Sequence, residues 1–247
     1  VYRRSGISDY YVYSVADKSL KLVAKDAQTA ELAPDGQKVG YERGGHLFVF
    51  DFATQKETQL TNDAAAAFYN GRFGWAYEEE FGLAQAWEWS PDSKFIAFWQ
   101  SDERNVPIYK LTDYKGFDEK YDSLPYPRVG DQNPTVRIGV IELVTTSKQW
   151  MKVDLADGYI PRIYWTSQEG QLAVMHLNRK QNQMRLFMSN ARTGDARQIL
   201  EEKNNTWIDI FDFFAGINHL LYFPAGVQEF YRVSDRDGYS HLYRYDY

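Results

Sequence analysis

The feature that most constrains the fold is a recurring unit of short apolar strands divided by polar turns. Ala33-Pro-Asp-Gly36 precedes the strand-like stretches 38–41, 46–51 and 57–61. Trp89-Ser-Pro-Asp92 precedes 95–99 and 106–109. Trp165-Thr-Ser-Gln168 precedes 171–175, 185–188 and 197–200. Phe213-Phe-Ala215 precedes 219–223, 231–234 and 241–245. Asp35-Gly36, Thr193-Gly194-Asp195 and Asp237-Gly238 supply turn chemistry between strands. The stretches 10–15 and 20–23 read as the trailing half of one further unit. Sequential groups of about four antiparallel strands point to propeller blades, with a β-sandwich as the plainer alternative. The reading is therefore all-β, and the recurring turn followed by an apolar strand favours the propeller.

The spacing is uneven, and the excess falls in two places. Lys110–Thr135, rich in Tyr, Asp, Lys, Gly and Pro, reads as an insertion protruding from one blade, or more plainly as a surface loop. The stretch between Thr61 and Trp89 is expected to hold one short helix over 75–86. Aromatic residues make up 17% of the chain, which favours strands. A formal net charge of −6 argues against nucleic acid and anionic membranes as partners. No apolar run approaches the roughly 20 residues a spanning helix needs. With no cysteine in 247 residues, disulfides, thiol nucleophiles and cysteine-ligated metals are excluded.

Local catalytic signals are absent. There is no G-x-S-x-G elbow, P-loop, G-x-G-x-x-G or H-E-x-x-H. His46, His176, His219 and His241 are dispersed and read as ordinary strand histidines, so no metal or cofactor is expected. What remains is Trp75-Ala-Tyr-Glu-Glu-Glu-Phe81. Three adjacent carboxylates among aromatic residues need a cation, a metal or solvent to stabilise them. The plainer reading is acids placed near a helix N-terminus by its macrodipole.

These residues resemble the dipeptidyl peptidase IV family. The Trp75–Phe81 run followed by Trp89-Ser-Pro carries the resemblance most specifically. It continues through Asp102-Glu-Arg-Asn-Val-Pro107, Tyr126-Pro-Arg-Val-Gly-Asp-Gln-Asn-Pro-Thr-Val136, Asp157-Gly-Tyr-Ile-Pro-Arg162, Leu177-Asn-Arg179 and Asp237-Gly-Tyr-Ser-His241. Arg3-Arg-Ser5 is similar to the stretch that opens a strand pair there. The resemblance implies the tail of one blade, three full blades and most of a fifth from an eight-bladed propeller, in a serine exopeptidase that removes N-terminal dipeptides with Pro or Ala second. The C-terminal α/β-hydrolase domain with its Ser-Asp-His triad is expected to lie outside these residues, so no catalytic residue is assigned and the chain alone should be inactive.

By the same resemblance Glu79 and Glu80 bind the substrate's α-amino group. Arg3, or Arg4 on a one-residue slip, stands beside them, and Glu78 is the structural spare. Phe211 lines the substrate pocket, with Asp212 where some members carry arginine. The implied partners are peptides with a free N-terminus, the hydrolase domain of the same protein, and a second copy met through the 110–135 arm and that domain. The implied location is periplasmic or extracellular. Two alternatives stay open: a non-catalytic propeller that binds peptides or proteins, and a sibling prolyl tripeptidyl peptidase.

Overall fold

Two bulges let a single strand serve two of the expected units. In the computed structural model, which describes residues 2–154, 157–210 and 220–247, strand β2 runs unbroken over Ser19–Leu32. It pairs with β1 (Ser8–Ser14) at one end and β3 (Lys38–Arg43) at the other. Register shifts mark both pairings, and Asp26 and Thr29 adopt positive φ of 49° and 50°. Extra residues of this kind bend and twist a strand. The trailing half-unit and the first full unit are thus one five-stranded antiparallel sheet, β1-β2-β3-β4-β5, completed by β4 (His46–Asp51) and β5 (Lys56–Gln59). Its core is Val23, Ala24, Ala27, Val39, Tyr41 and Phe48, with Tyr10, Val12 and Phe50 against it.

The chain divides into two compact units, each visited twice. Val1–Trp87 and Phe98–Val136 form the first. Besides the five-stranded sheet it holds β6 (Phe68–Asn70), paired with the last residues of β8 (Phe95–Asp102). The buried side chains of Gln100 and Asn70 are satisfied by each other and by the exposed Asp63. Gln100 Nε2 donates to Asn70 Oδ1 at 2.9 Å, and Asn70 Nδ2 donates to Asp63 Oδ1 at 2.9 Å. The one helix among the described residues, α1 (Trp75–Glu80), lies in this unit. So does a hairpin of β9 (Ile108–Asp113) and β10 (Lys120–Pro125), in unbroken register from Lys120↔Asp113 to Pro125↔Ile108. The stretch 110–135 therefore contains regular structure, in a hairpin that begins at Ile108. Its tip exposes Tyr114 and Phe117 fully.

Glu88–Ala97 and Arg137–Tyr247 form the second unit. The Trp89-Ser-Pro-Asp turn forms as its residue types require: Ser90 Oγ donates to Asp92 Oδ1 at 2.6 Å and accepts from the Phe95 N–H at 2.9 Å. A hairpin joins β11 (Thr135–Glu142) to β12 (Ser147–Trp150). A four-stranded antiparallel sheet follows in sequence order, with β13 (Gly158–Trp165), β14 (Gln171–Asn178), β15 (Gln183–Asn190) and β16 (Ala196–Lys203). In β14 the run Leu172–Leu177 is buried throughout, as a central strand covered on both faces should be. The last sheet is β17-β18-β19, over Leu221–Tyr222, Glu229–Ser234 and His241–Asp246. The turn before it, Phe213-Phe-Ala215, and His219 lie outside the described residues.

Candidate recognition site on the helix

The acidic run folds as a turn and a half of helix held by aromatic packing. Phe73 stacks on Tyr77 at 5.0 Å and meets Trp99 edge-on at 5.3 Å, and Tyr77 reaches Phe81 at 5.2 Å. Trp75 lies 4.2 Å from the Tyr126 ring. A helix this short is unstable alone, so such packing must hold it. The helix ends at Glu80, short of the expected limit at residue 86. Phe81 caps it by donating its N–H to the Tyr77 carbonyl at 3.2 Å, and Gly82 turns away at φ +67°. A left-handed glycine just past the last turn is a common helix stop.

No side chain of the helix caps its start. Glu103, from beyond the end of β8, takes that place. Its carboxyl fills the space that a Cβ on Gly74 would occupy and accepts the Gly74 backbone N–H. Only glycine leaves that room. Glu103 is 3% exposed, and burial pushes its carboxyl from the ordinary 4.5 up to about 7. The Ser101 hydroxyl at 3.3 Å, the Arg72 charge and the Gly74 N–H oppose the shift without cancelling it.

A stability effect follows. Below pH 4.5 Glu103 is protonated whether the chain is folded or not. Between 4.5 and about 7 the unfolded chain releases the proton while the folded one keeps it. Stability should therefore fall as pH rises through that window and level off above it, by about 3 kcal/mol for a shift of this size. Urea midpoints measured across the window should show this slope in the parent protein and not in Glu103→Gln. An unchanged slope in the variant would assign it to other groups.

Successive helical residues point about 100° apart. The three acids therefore face different ways. Glu78 is 1% exposed, Glu79 is partly buried and Glu80 is exposed. Glu78 accepts backbone N–H bonds from Arg4 at 2.5 Å and Ser5 at 2.9 Å. Arg3 Nη1 stands 3.5 Å from Glu79 Oε2. Of the two arginines that the sequence leaves open, Arg3 makes the ion pair with Glu79, while Arg4 contributes its backbone to Glu78. Phe211, the fourth expected site residue, and Asp212 lie outside the described residues.

Glu103 was not among the residues picked out by sequence. Gly74, immediately before the helix, was the available signal. Among the described residues no three His, Cys, Asp or Glu side chains are grouped to hold a metal ion. No helix there is long and apolar enough to cross a membrane.

Among the described residues, successive antiparallel sheets with one short acid-bearing helix define an all-β, propeller-like region. Over residues 1–247 the chain matches the family described as the dipeptidyl peptidase IV (DPP IV) N-terminal region, and it belongs to that family. It is 30% identical over 261 residues to the protein named probable dipeptidyl peptidase 4 of Neosartorya fischeri, covering 98% of this chain and 33% of that one. Dipeptidyl peptidase 4 of Trichophyton equinum is 26% identical over 264 residues, with 99% and 33% covered. The crystal structure of Porphyromonas gingivalis dipeptidyl peptidase 4 superposes with a TM-score of 0.90 at 32% identity, over 100% of this chain and 35% of that one. The chain thus spans about a third of the length of these relatives.

Proposed function

We propose that the chain is the substrate-recognition part of a serine exopeptidase that removes N-terminal Xaa-Pro or Xaa-Ala dipeptides, with Glu79 and Glu80 binding the α-amino group. The observation that carries this is the pair of acids on a packed helix, with Arg3 3.5 Å from Glu79, in a chain of the dipeptidyl peptidase IV family. An N-terminal ammonium offers three donors and a full charge, which two carboxylates can share. An internal peptide nitrogen offers one donor and no charge. It would leave a partly buried carboxylate desolvated and unmatched, which selects against internal segments. Fixing the amine also fixes how far along the peptide the scissile bond lies.

The test uses the full-length enzyme with a Gly-Pro chromogenic substrate and its N-acetylated form. Acetylation removes the charge and two donors. At about 1.5–3 kcal/mol per charge-assisted bond, kcat/KM should fall by at least about a hundredfold. Equal rates on the two substrates would refute amine recognition.

A further inference from the structure

We propose that Glu78 is a positioning residue that sets the place of Arg3 through the backbone of residues 4 and 5. This rests on the amine-binding reading of Glu79 and Glu80, and it assigns the third acid a task of its own.

The Glu78 side chain turns into the protein, where one carboxylate oxygen accepts two successive backbone N–H groups, from Arg4 and Ser5. Paired N–H donors converging on one anion are a strong, orienting contact. The segment they belong to has no strand pairing of its own, since β1 starts at Ser8. Within it, the Tyr2 N–H donates to Ser5 Oγ at 2.9 Å, which folds the segment on itself around Arg3. The Arg3 side chain is 73% exposed, and its ion pair with Glu79 spans 3.5 Å. A contact that long and that exposed does not fix a guanidinium. The backbone must do so, and Glu78 holds the backbone. One turn of helix thereby presents Glu79 and Glu80 outward and grips, with Glu78, the segment that brings the arginine. Tyr2 adds to the same junction: burial and the nearby Glu103 and Glu78 charges push its phenol up to about 12.

The test is a mutant cycle in the full-length enzyme, with E78A, E78Q, R3A and E78A/R3A assayed for kcat and KM on a free-amine Gly-Pro substrate. Loss of two charge-assisted bonds should raise KM by at least about tenfold in E78A. E78Q should lie between E78A and the parent, because its carbonyl still accepts an N–H. E78A/R3A should be no worse than R3A alone, because Glu78 acts through Arg3. Independent, multiplying effects of E78A and R3A would overturn the proposal, as would parent-like KM in E78A. Should E78A fail to fold, the cycle of E78Q with R3A reads the same coupling, and multiplying effects there overturn it equally. E79A separates the two ideas. Full activity in E79A overturns the amine reading itself, whereas an inactive E79A with multiplying E78 and R3 effects overturns only the role of Glu78.

Discussion

Replacing Glu79 or Glu80 by alanine in the full-length enzyme is expected to lower kcat/KM on Gly-Pro and Ala-Pro substrates by two orders of magnitude or more. Each carboxylate would accept one or two bonds from the substrate ammonium. A lost charge-assisted bond is worth about 1.5–3 kcal/mol, or roughly ten- to more than a hundredfold. On the proposed reading, the remaining carboxylate would not hold the amine in register alone, so the scissile bond would shift and kcat should fall with the rise in KM. Glu79 has a second consequence that Glu80 lacks. Its loss leaves Arg3 without its ion-pair partner. Glu79→Gln keeps the shape and removes the charge, which separates packing from electrostatics. Steady-state kinetics on the two alanine variants would decide the matter, and parent-like values in both would remove the pair from substrate binding.

Glu202→Ala should produce the largest loss of stability. Glu202 on β16 accepts a bond from Arg232 Nε at 2.9 Å and another from Ser234 Oγ at 2.9 Å, both on β18. Arg232 is fully buried, and among the described residues its two terminal nitrogens have no hydrogen-bond partner. The Glu202 carboxylate is thus the compensation that makes the buried guanidinium tolerable. Removing one member of a buried ion pair costs about 3–5 kcal/mol, because the other charge stays behind without water. Replacing both members together, as in Glu202→Leu with Arg232→Met, should cost far less. Denaturant unfolding of the two variants distinguishes these cases. A loss under about 1 kcal/mol in Glu202→Ala would show that water or another group reaches Arg232.

Much of the strand order was legible because local chemistry wrote it. Ser90 and Asp92 make a turn from their own side chains, and the four strands β13–β16 follow one another as the turn residues suggest. Legibility stopped where distant residues decide. The helix looked longer than it is because Leu83, Ala84 and Ala86 continue an apolar run past Gly82, whose positive φ ends it. The unbroken β2 was hidden because bulges at Asp26 and Thr29 break the two-residue alternation that identifies a strand. Of the candidate site, the three acids and Arg3 could be named from sequence, and the resemblance set Glu78 apart as a structural spare. What Glu78 holds could not be named. Only the fold turns Glu78 inward and brings residues 4 and 5 to it. Glu103 and Glu202 carry no local sign of burial, since Gly74, Arg232 and Ser234, which they meet, lie about thirty residues away in sequence.

The meeting of Glu103 with Gly74 has a bearing on inheritance. A carboxyl stands where the glycine's missing side chain would be. Neither position can drift alone. A larger residue at 74 needs a shorter one at 103, and a shorter residue at 103 takes away the group that fixes the helix start. Lineages that keep this helix should hold both residues or exchange both, so that two distant positions behave as a single heritable character.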